Sequence, residues 1–392
     1  MQSDMTWIEL NQTAFDHNIA YYKQNIGDAS LMAVVKSNAY GHGIIAIADK
    51  CQQNNNIDGF ITAMLSEAIL LRQQGITKPI VVMGYLDAPL DEIIRNNIQI
   101  SVIDYTMLQA LEQVALHYRQ PITIHIKIDT GLTRFGFMPE EILELVKKIG
   151  ANQAFVLQGI CTHFGESCDA DWSYTEIQRV RFSTVIQQLK TYNLVPPLIH
   201  ADKSNTALRA THAPGSGVRI GAGLYGLLAQ HNVQHVLTWK SRIAHIRTLT
   251  HDSPLGYGQT YHAAAGQKIA FIPVGYYDGY DRRLANQGHV LVLHQTAAQQ
   301  VHSVRAPVIG RIAMNTITVD ISHASHLTLG DEVILLGDHA GLRSCDIAEL
   351  TRGENRRDVI IKIRESIPRS WVTTTLDHKQ FLSTDAYATL RV

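Results

Sequence analysis

Leu31-Met32-Ala33-Val34-Val35-Lys36-Ser37-Asn38-Ala39-Tyr40-Gly41-His42-Gly43 runs five apolar residues into one lysine and a glycine-rich turn, and Ile44–Gln53 follows with apolar residues at helical spacing. A short apolar run bounded by a turn reads as a buried strand, and a three- and four-residue apolar period reads as an amphipathic helix. The lysine is therefore presented at the end of a strand, facing a pocket rather than bulk water. Desolvation disfavours its ammonium form, and a neutral amine can form a Schiff base with a carbonyl. The plainer alternative is a surface lysine just past a strand.

Working outward, the same unit recurs. Leu31–Val35, Gly59–Ala63, Ile80–Met83, Ile100–Ile103, Ile122–Ile128, Val156–Cys161, Leu198–Ala201 and Val218–Ala222 read as strands, eight in all. Helix-like segments lie between them, among them Ile44–Gln53, Ser66–Gln74, Glu140–Ile149 and Tyr174–Tyr192. Eight strand–helix repeats with right-handed crossovers predict an α/β fold, a (β/α)8 TIM-type barrel. A doubly wound sheet would give the same local pattern. After Gly226 the pattern turns to Val236–Leu249, Lys268–Val274, Val290–Leu293, Val308–Ser322 and Glu332–Leu336, strand-like and separated by Gly, Pro and Asp; Cys345–Arg352 alone looks helical. The expected division is a barrel over 1–232 and a mostly β C-terminal domain over 233–392, with the boundary near His231–His235.

A chain of 392 residues has length for about two domains. Its 34 basic and 35 acidic residues nearly cancel, which gives no reason to expect nucleic acid or a membrane surface as partner. Cys51, Cys161, Cys168 and Cys345 are widely spaced, with no Cys-x-x-Cys pair, so neither a metal site nor a disulfide framework is expected. Met1–Asn11 is polar and mixed, without an apolar signal region, and no apolar run approaches the ~20 residues of a membrane span. The expectation is a soluble, cytoplasmic protein.

Barrels of this type gather their chemistry at the C-terminal ends of the strands. There lie Lys36, the run Lys127-Ile128-Asp129-Thr130-Gly131-Leu132-Thr133-Arg134, Thr162-His163-Phe164, Ser204 and Arg219. Any one of them could be structural, and His163 is one of nineteen histidines; their shared rim raises the functional reading. Gly215-Ser216-Gly217-Val218-Arg219-Ile220-Gly221-Ala222-Gly223 offers successive backbone N–H groups to an anion such as phosphate. Gly221-Ala222-Gly223-Leu224-Tyr225-Gly226 also matches the dinucleotide fingerprint, but no second helix–strand unit with an acidic residue about 20 positions on follows it. In the second domain Tyr257 stands between glycines in Leu255-Gly256-Tyr257-Gly258-Gln259. Pro273-Val274-Gly275-Tyr276-Tyr277-Asp278-Gly279 and Gly310-Arg311-Ile312-Ala313-Met314-Asn315 complete the set.

In this order these strings resemble the alanine racemases, from near residue 4 to near residue 375. The resemblance implies a homodimer that binds pyridoxal 5'-phosphate, interconverts L- and D-alanine, and supplies D-alanine for peptidoglycan. Lys36 would hold the cofactor and act as one base. Tyr257 of the neighbouring chain would be the other, taking the proton from L-alanine while Lys36 takes it from D-alanine. Inversion needs a base on each face. The resemblance further implies Arg219 opposite the pyridine nitrogen and His163, linked to Arg219, as a cationic donor easing the ionisation of the tyrosine. Arg134 would meet the substrate carboxylate. Tyr40, Ser204, Gly221 and Ala222 match phosphate contacts, and Tyr276 and Met314 match the substrate entrance. Lys127 matches a position that is often carbamylated.

Three positions depart from the family pattern. Asn315 stands where Asp is usual, Glu365 where many members have a phosphate-contacting tyrosine, and Lys203 where Asn is common, adding positive charge near the phosphate. Asn315 motivates the runner-up, a racemase of broader scope acting on serine or basic amino acids. A non-catalytic barrel that binds the same cofactor would lack the second domain, and a related decarboxylase would need a cysteine-bearing C-terminal motif.

Overall fold

A computed structural model of the protein describes residues 5–165, 171–209, 215–228, 232–296, 300–324, 326–353 and 355–373. Cys168 and His231 lie outside the described residues. The chain divides into two compact units, one of Asp16–Val233 and one of Met1–Phe15 with Gln234–Val392.

The first strand, β1 (Thr6–Asn11), is part of the second unit. Eight strands then follow: β2 (Ser30–Val34), β3 (Gly59–Met64), β4 (Ile80–Tyr85), β5 (Gln99–Val102), β6 (Ile122–Lys127), β7 (Phe155–Cys161), β8 (Leu198–Lys203) and β9 (Gly217–Ile220). They are parallel and close into a barrel in sequence order, β9 pairing with β2 through Met32↔Arg219 and Ala33↔Ile220. Each expected strand lies within two residues of an observed one. The helix Ile44–Gln53 follows the sequence expectation and buries Ile44, Ile47, Ala48 and Cys51, one face at three- and four-residue spacing.

Met32, Val34, Ile61 and Val81 fill part of the barrel, with Tyr40 and Met83 packed on them. Polar groups share the interior: Thr62, Ser101, His125, Lys127, His200 and Arg219 are all buried. Burial of that kind is costly unless the groups pair with one another.

In the second unit a six-stranded sheet runs β16-β15-β18-β10-β1-β19, from β10 (Leu237–Arg242), β15 (His289–Gln295), β16 (Val301–Pro307), β18 (Glu332–Leu336) and β19 (Arg369–Val372) together with β1. A three-stranded sheet joins β11 (His245–Thr248), β14 (Lys268–Ile272) and β17 (Ile317–Asp320), and β12 (Ser253–Leu255) pairs with β13 (Tyr261–Ala263). This unit corrects several expectations. Residues 1–15 belong with it rather than with the barrel, because β1 buries Ile8 and Leu10 and pairs with β10 and β19. Val236–Leu249 is two strands in two sheets. Val308–Ser322 is not one strand: the ladder breaks after Pro307, Gly310 takes φ +72°, and β17 begins at Ile317. A second helix, Arg356–Ile361, follows Ser344–Leu350. No helix among the described residues is long and apolar enough to cross a membrane.

Candidate active site

Lys36 directly follows the wholly buried Val35 and is itself half-buried. The four residues after it, Ser37, Asn38, Ala39 and Tyr40, have φ of 55°, 52°, 52° and 55°, a left-handed turn built without glycine. Each such residue costs roughly 1–2 kcal/mol, so the surroundings must hold the turn. Ala39 N donates to Val35 O at 2.8 Å and Gly43 N to Asn38 O at 2.9 Å, while Asn38 Oδ1 accepts from Ile44 N at 2.8 Å. Glu67 closes the frame. One carboxylate oxygen accepts from Ser37 N at 2.6 Å and the other from Ala63 N at 2.9 Å and Met64 N at 3.1 Å. Sequence reasoning missed Glu67; its position, three residues past the end of the next strand, is the signal that was available. His42 is buried, and its Nδ1 lies 3.1 Å from the carbonyls of Ala39 and Tyr40 with the ring stacked on Tyr225.

Ser204 Oγ accepts from Gly221 N and Gly223 N, each at 3.1 Å. With both lone pairs engaged, the hydroxyl hydrogen is left to donate outward. A side chain at Gly221 would put its Cβ 2.7 Å from the Tyr40 hydroxyl, so the close approach of Tyr40 requires glycine there. Ala222 is buried beside it. Together these groups form a cradle suited to an anion.

Arg219 is 4% exposed. Its guanidinium donates to Thr162 O at 2.8 Å, to Ala201 O at 2.9 Å, to His200 O and to His200 Nδ1 at 2.9 Å. The same nitrogen that serves Thr162 and Ala201 lies 3.4 Å from His163 Nδ1, a long shared contact. Burial, then the charges of Arg219, Lys127, Lys203 and Arg134, hold the His163 imidazole well below its usual pKa. The shift favours the neutral ring and leaves the positive charge on Arg219, whereas the resemblance implied a cationic donor at His163. Lys203 differs as well. Its ammonium donates to Phe164 O at 2.7 Å, tethering the loop that carries His163.

Lys127, 6% exposed, is register partner of Cys161 on β7. Its Nζ has no hydrogen-bond partner among the described residues, and burial brings its pKa down to about 7. Beyond it the loop is braced: Asp129 Oδ1 accepts from Gly131 N at 2.9 Å and Thr133 N at 3.1 Å, and Tyr174 Oη donates to Gly131 O at 2.7 Å. Arg181 donates to Thr130 O at 3.0 Å. Arg134, at the outer end of this loop, is exposed and lies 5.4 Å from the Phe135 ring.

In the second unit, Tyr257 is 73% exposed on a tight turn between Gly256 (φ 68°) and Gly258 (φ 69°). A Cβ at Gly258 would lie 3.1 Å from the Arg311 guanidinium, so the tyrosine turn and the Gly-Arg string meet. Tyr276 N donates to Ala313 O at 3.2 Å and Tyr277 N to Met314 O at 3.0 Å, which brings the third string alongside. Tyr276 and Met314 are exposed, as is Asn315. Asp278 is buried, accepting from Gly275 N and pairing with Arg364, a structural role. Glu365 is exposed and offers its carbonyl to Arg369 at 2.9 Å. Among the described residues no group of three or more His, Cys, Asp or Glu is placed to hold a metal ion.

The family model for the N-terminal domain of alanine racemase matches residues 10–229, and that for the C-terminal domain matches residues 236–371. The alanine racemase of Clostridium perfringens (strain SM101 / Type A) is 33% identical over 374 residues, covering 93% of this chain and 94% of the relative. That of Methanococcus maripaludis is 30% identical over 384 residues, 95% of this chain and all of the relative. Among solved structures, alanine racemase from Clostridium difficile 630 superposes with a TM-score of 0.84 at 27% identity over 95% of this chain and 97% of that one. The enzyme from the D-cycloserine producer Streptomyces lavendulae gives 0.84 at 26% identity, with 95% and 98% covered.

Proposed function

Since this chain belongs to the alanine racemase family, we propose that it interconverts L- and D-alanine with pyridoxal phosphate as cofactor, Lys36 and Tyr257 serving as the two bases. One observation supports this: Lys36 lies just past the end of β2, the buried cation Arg219 lies on the adjacent strand β9 level with Met32, and the Ser204–Gly221–Gly223 cradle lies just past β8 and β9.

The residues present fit the cofactor. Ser204 has a hydroxyl hydrogen free to donate to a phosphate oxygen, Tyr40 adds a second hydroxyl, and Gly221 and Ala222 bring backbone close. Bound there, pyridoxal phosphate would draw electrons from the α-carbon of the amino acid and acidify its C–H bond. Lys36, fixed by its left-handed turn, exchanges a proton with one face of that carbon. Tyr257 of a second copy serves the other, and its exposure, with that of Tyr276 and Met314, suits a site completed by two chains. Arg219 holds its protons at neutral pH and only donates, so it leaves a facing pyridine nitrogen unprotonated and discourages side reactions. His163, accepting from Arg219 at Nδ1, carries its proton on Nε2 and offers it as a neutral donor. Arg134 meets the substrate carboxylate.

The neutral Lys127 amine is suited to carbamylation: its nitrogen bonds to the carbon of CO2 and releases one proton, leaving an anion to orient Arg134. The D-alanine formed would serve peptidoglycan synthesis in the cytoplasm.

The test is release of the α-hydrogen of alanine into deuterated water, comparing the wild type with Lys36→Ala. Exchange accompanied by D-alanine in the wild type alone supports the assignment. A protein that binds pyridoxal phosphate yet exchanges serine or lysine faster than alanine would move it to the broader-scope racemase that Asn315 motivates.

A further inference from the structure

Two buried histidines, His125 and His200, have no part in the chemistry described above, although both are fully buried in the barrel beside Arg219. Arg219 donates to His200 Nδ1 at 2.9 Å. A guanidinium has no lone pair to offer, so His200 Nδ1 must accept, and the ring proton sits on Nε2. His200 Nε2 lies 3.0 Å from His125 Nδ1, which therefore accepts in turn, and His125 carries its proton on Nε2. That proton points at Gln99 Oε1, 2.8 Å away. Every hydrogen bond in the series Arg219, His200, His125, Gln99 thus runs in one direction. A second proton on either ring would set two N–H groups against each other. Burial, then Arg219, hold His125 down to about 3, and the same causes hold His200 well below its usual value.

The series crosses the barrel interior from β9 to β5. His125 is on β6 and His200 on β8, with β7 between them. At that crossing β7 carries Gly159, the register partner of His125. A Cβ on Gly159 would lie 2.1 Å from His125 Nδ1, so the missing side chain is the gap through which the two rings meet.

We propose that His125 and Gln99 are positioning residues for Arg219: the one-way series fixes the guanidinium's rotation, and through it the donor presented to the cofactor ring. The inference rests on the proposed role of Arg219. Three carbonyls also hold the guanidinium, but carbonyls accept from a broad arc, whereas a single imidazole lone pair fixes the plane.

The test uses full-length protein labelled with 15N at histidine, with and without pyridoxal phosphate, as wild type, His125→Phe, His125→Gln and Gln99→Leu. The wild type should show two slowly exchanging Nε2–H signals that do not titrate between about pH 6 and 9. In His125→Phe the His200 signal should shift and exchange faster. The kcat for alanine should fall roughly tenfold to a hundredfold with KM nearly unchanged, and the absorption spectrum of the bound cofactor should change. His125→Gln keeps an acceptor and a donor in series and should recover most of the loss, which a packing role would not explain. Gln99→Leu, at the far end of the series, should give a smaller loss of the same kind and serves if His125→Phe fails to fold. Unchanged His200 signals and kcat in the folded variants would overturn the proposal. The proton signals are read without cofactor too, so a wild type that binds no pyridoxal phosphate would sink the functional assignment while the series is still judged by its NMR.

Discussion

The Glu67 carboxylate accepts the backbone N–H of Ser37 at 2.6 Å, tying the residue after Lys36 to the helix Leu65–Gln73 of the next strand–helix unit. The same carboxylate receives Ala63 and Met64. Glu67→Ala strands three N–H groups and should lower stability by about 2 kcal/mol. Because the lysine then loses its aim, kcat should fall more than KM rises. Thermal unfolding and alanine kinetics check both, and a variant that loses stability without losing kcat would limit Glu67 to a structural role.

Gly159→Ala should destabilise the barrel by about 1–3 kcal/mol through overpacking, since the new methyl meets the His125 ring rather than a flexible chain end. Denaturant unfolding measures this. A neutral result would mean that the imidazole can move aside, and the His200 signal would then report where it went.

Lys127 gives a pH dependence with a definite sign. Its folded pKa is lowered from 10.5 to about 7, so between these values the unfolded chain binds the extra proton and stability rises with pH. The burial penalty is fully present below about pH 7 and is gone above about 10.5. Lys127→Met should therefore be more stable than the wild type at pH 6, with the gap closing by up to about 1.4 kcal/mol per pH unit as pH rises through that window. Chemical denaturation in CO2-free buffer reads it out, and parallel curves would contradict the assignment. Added bicarbonate should stabilise the wild type and not the variant.

Tyr257→Phe should leave pyridoxal phosphate bound and lower kcat by roughly 10²–10⁴, the worth of one general base. The deficit should be larger with L-alanine as substrate. Equal losses in both directions would count against the assigned faces, and steady-state rates from each enantiomer decide it.

The barrel was legible because each strand is a short apolar run ended by a turn, and that signal survives in eight separate places. The places of Lys36 and Ser204 just past strands, and of Arg219 on the last barrel strand, were legible too. The left-handed turn was not, because Ser37, Asn38, Ala39 and Tyr40 carry no glycine to announce it. Nor was the His125–His200 pairing, in which residues 75 positions apart meet across a strand that neither belongs to. β1 was hidden by its mixed composition: with Ile8 and Leu10 as its wholly buried side chains, its alternation is brief and its partners lie hundreds of residues away.

That last pairing has a consequence for how the chain is made. β1 is made before the whole barrel, yet its parallel neighbour β19 ends at Val372 and its antiparallel neighbour β10 begins at Leu237. At roughly 5–20 residues per second, those six residues wait tens of seconds for both partners. The whole barrel, Asp16–Val233, is synthesised in the interval. β1 thus stays unpaired while the barrel is made. A substitution that weakens β1 would burden the last step of assembly rather than the first.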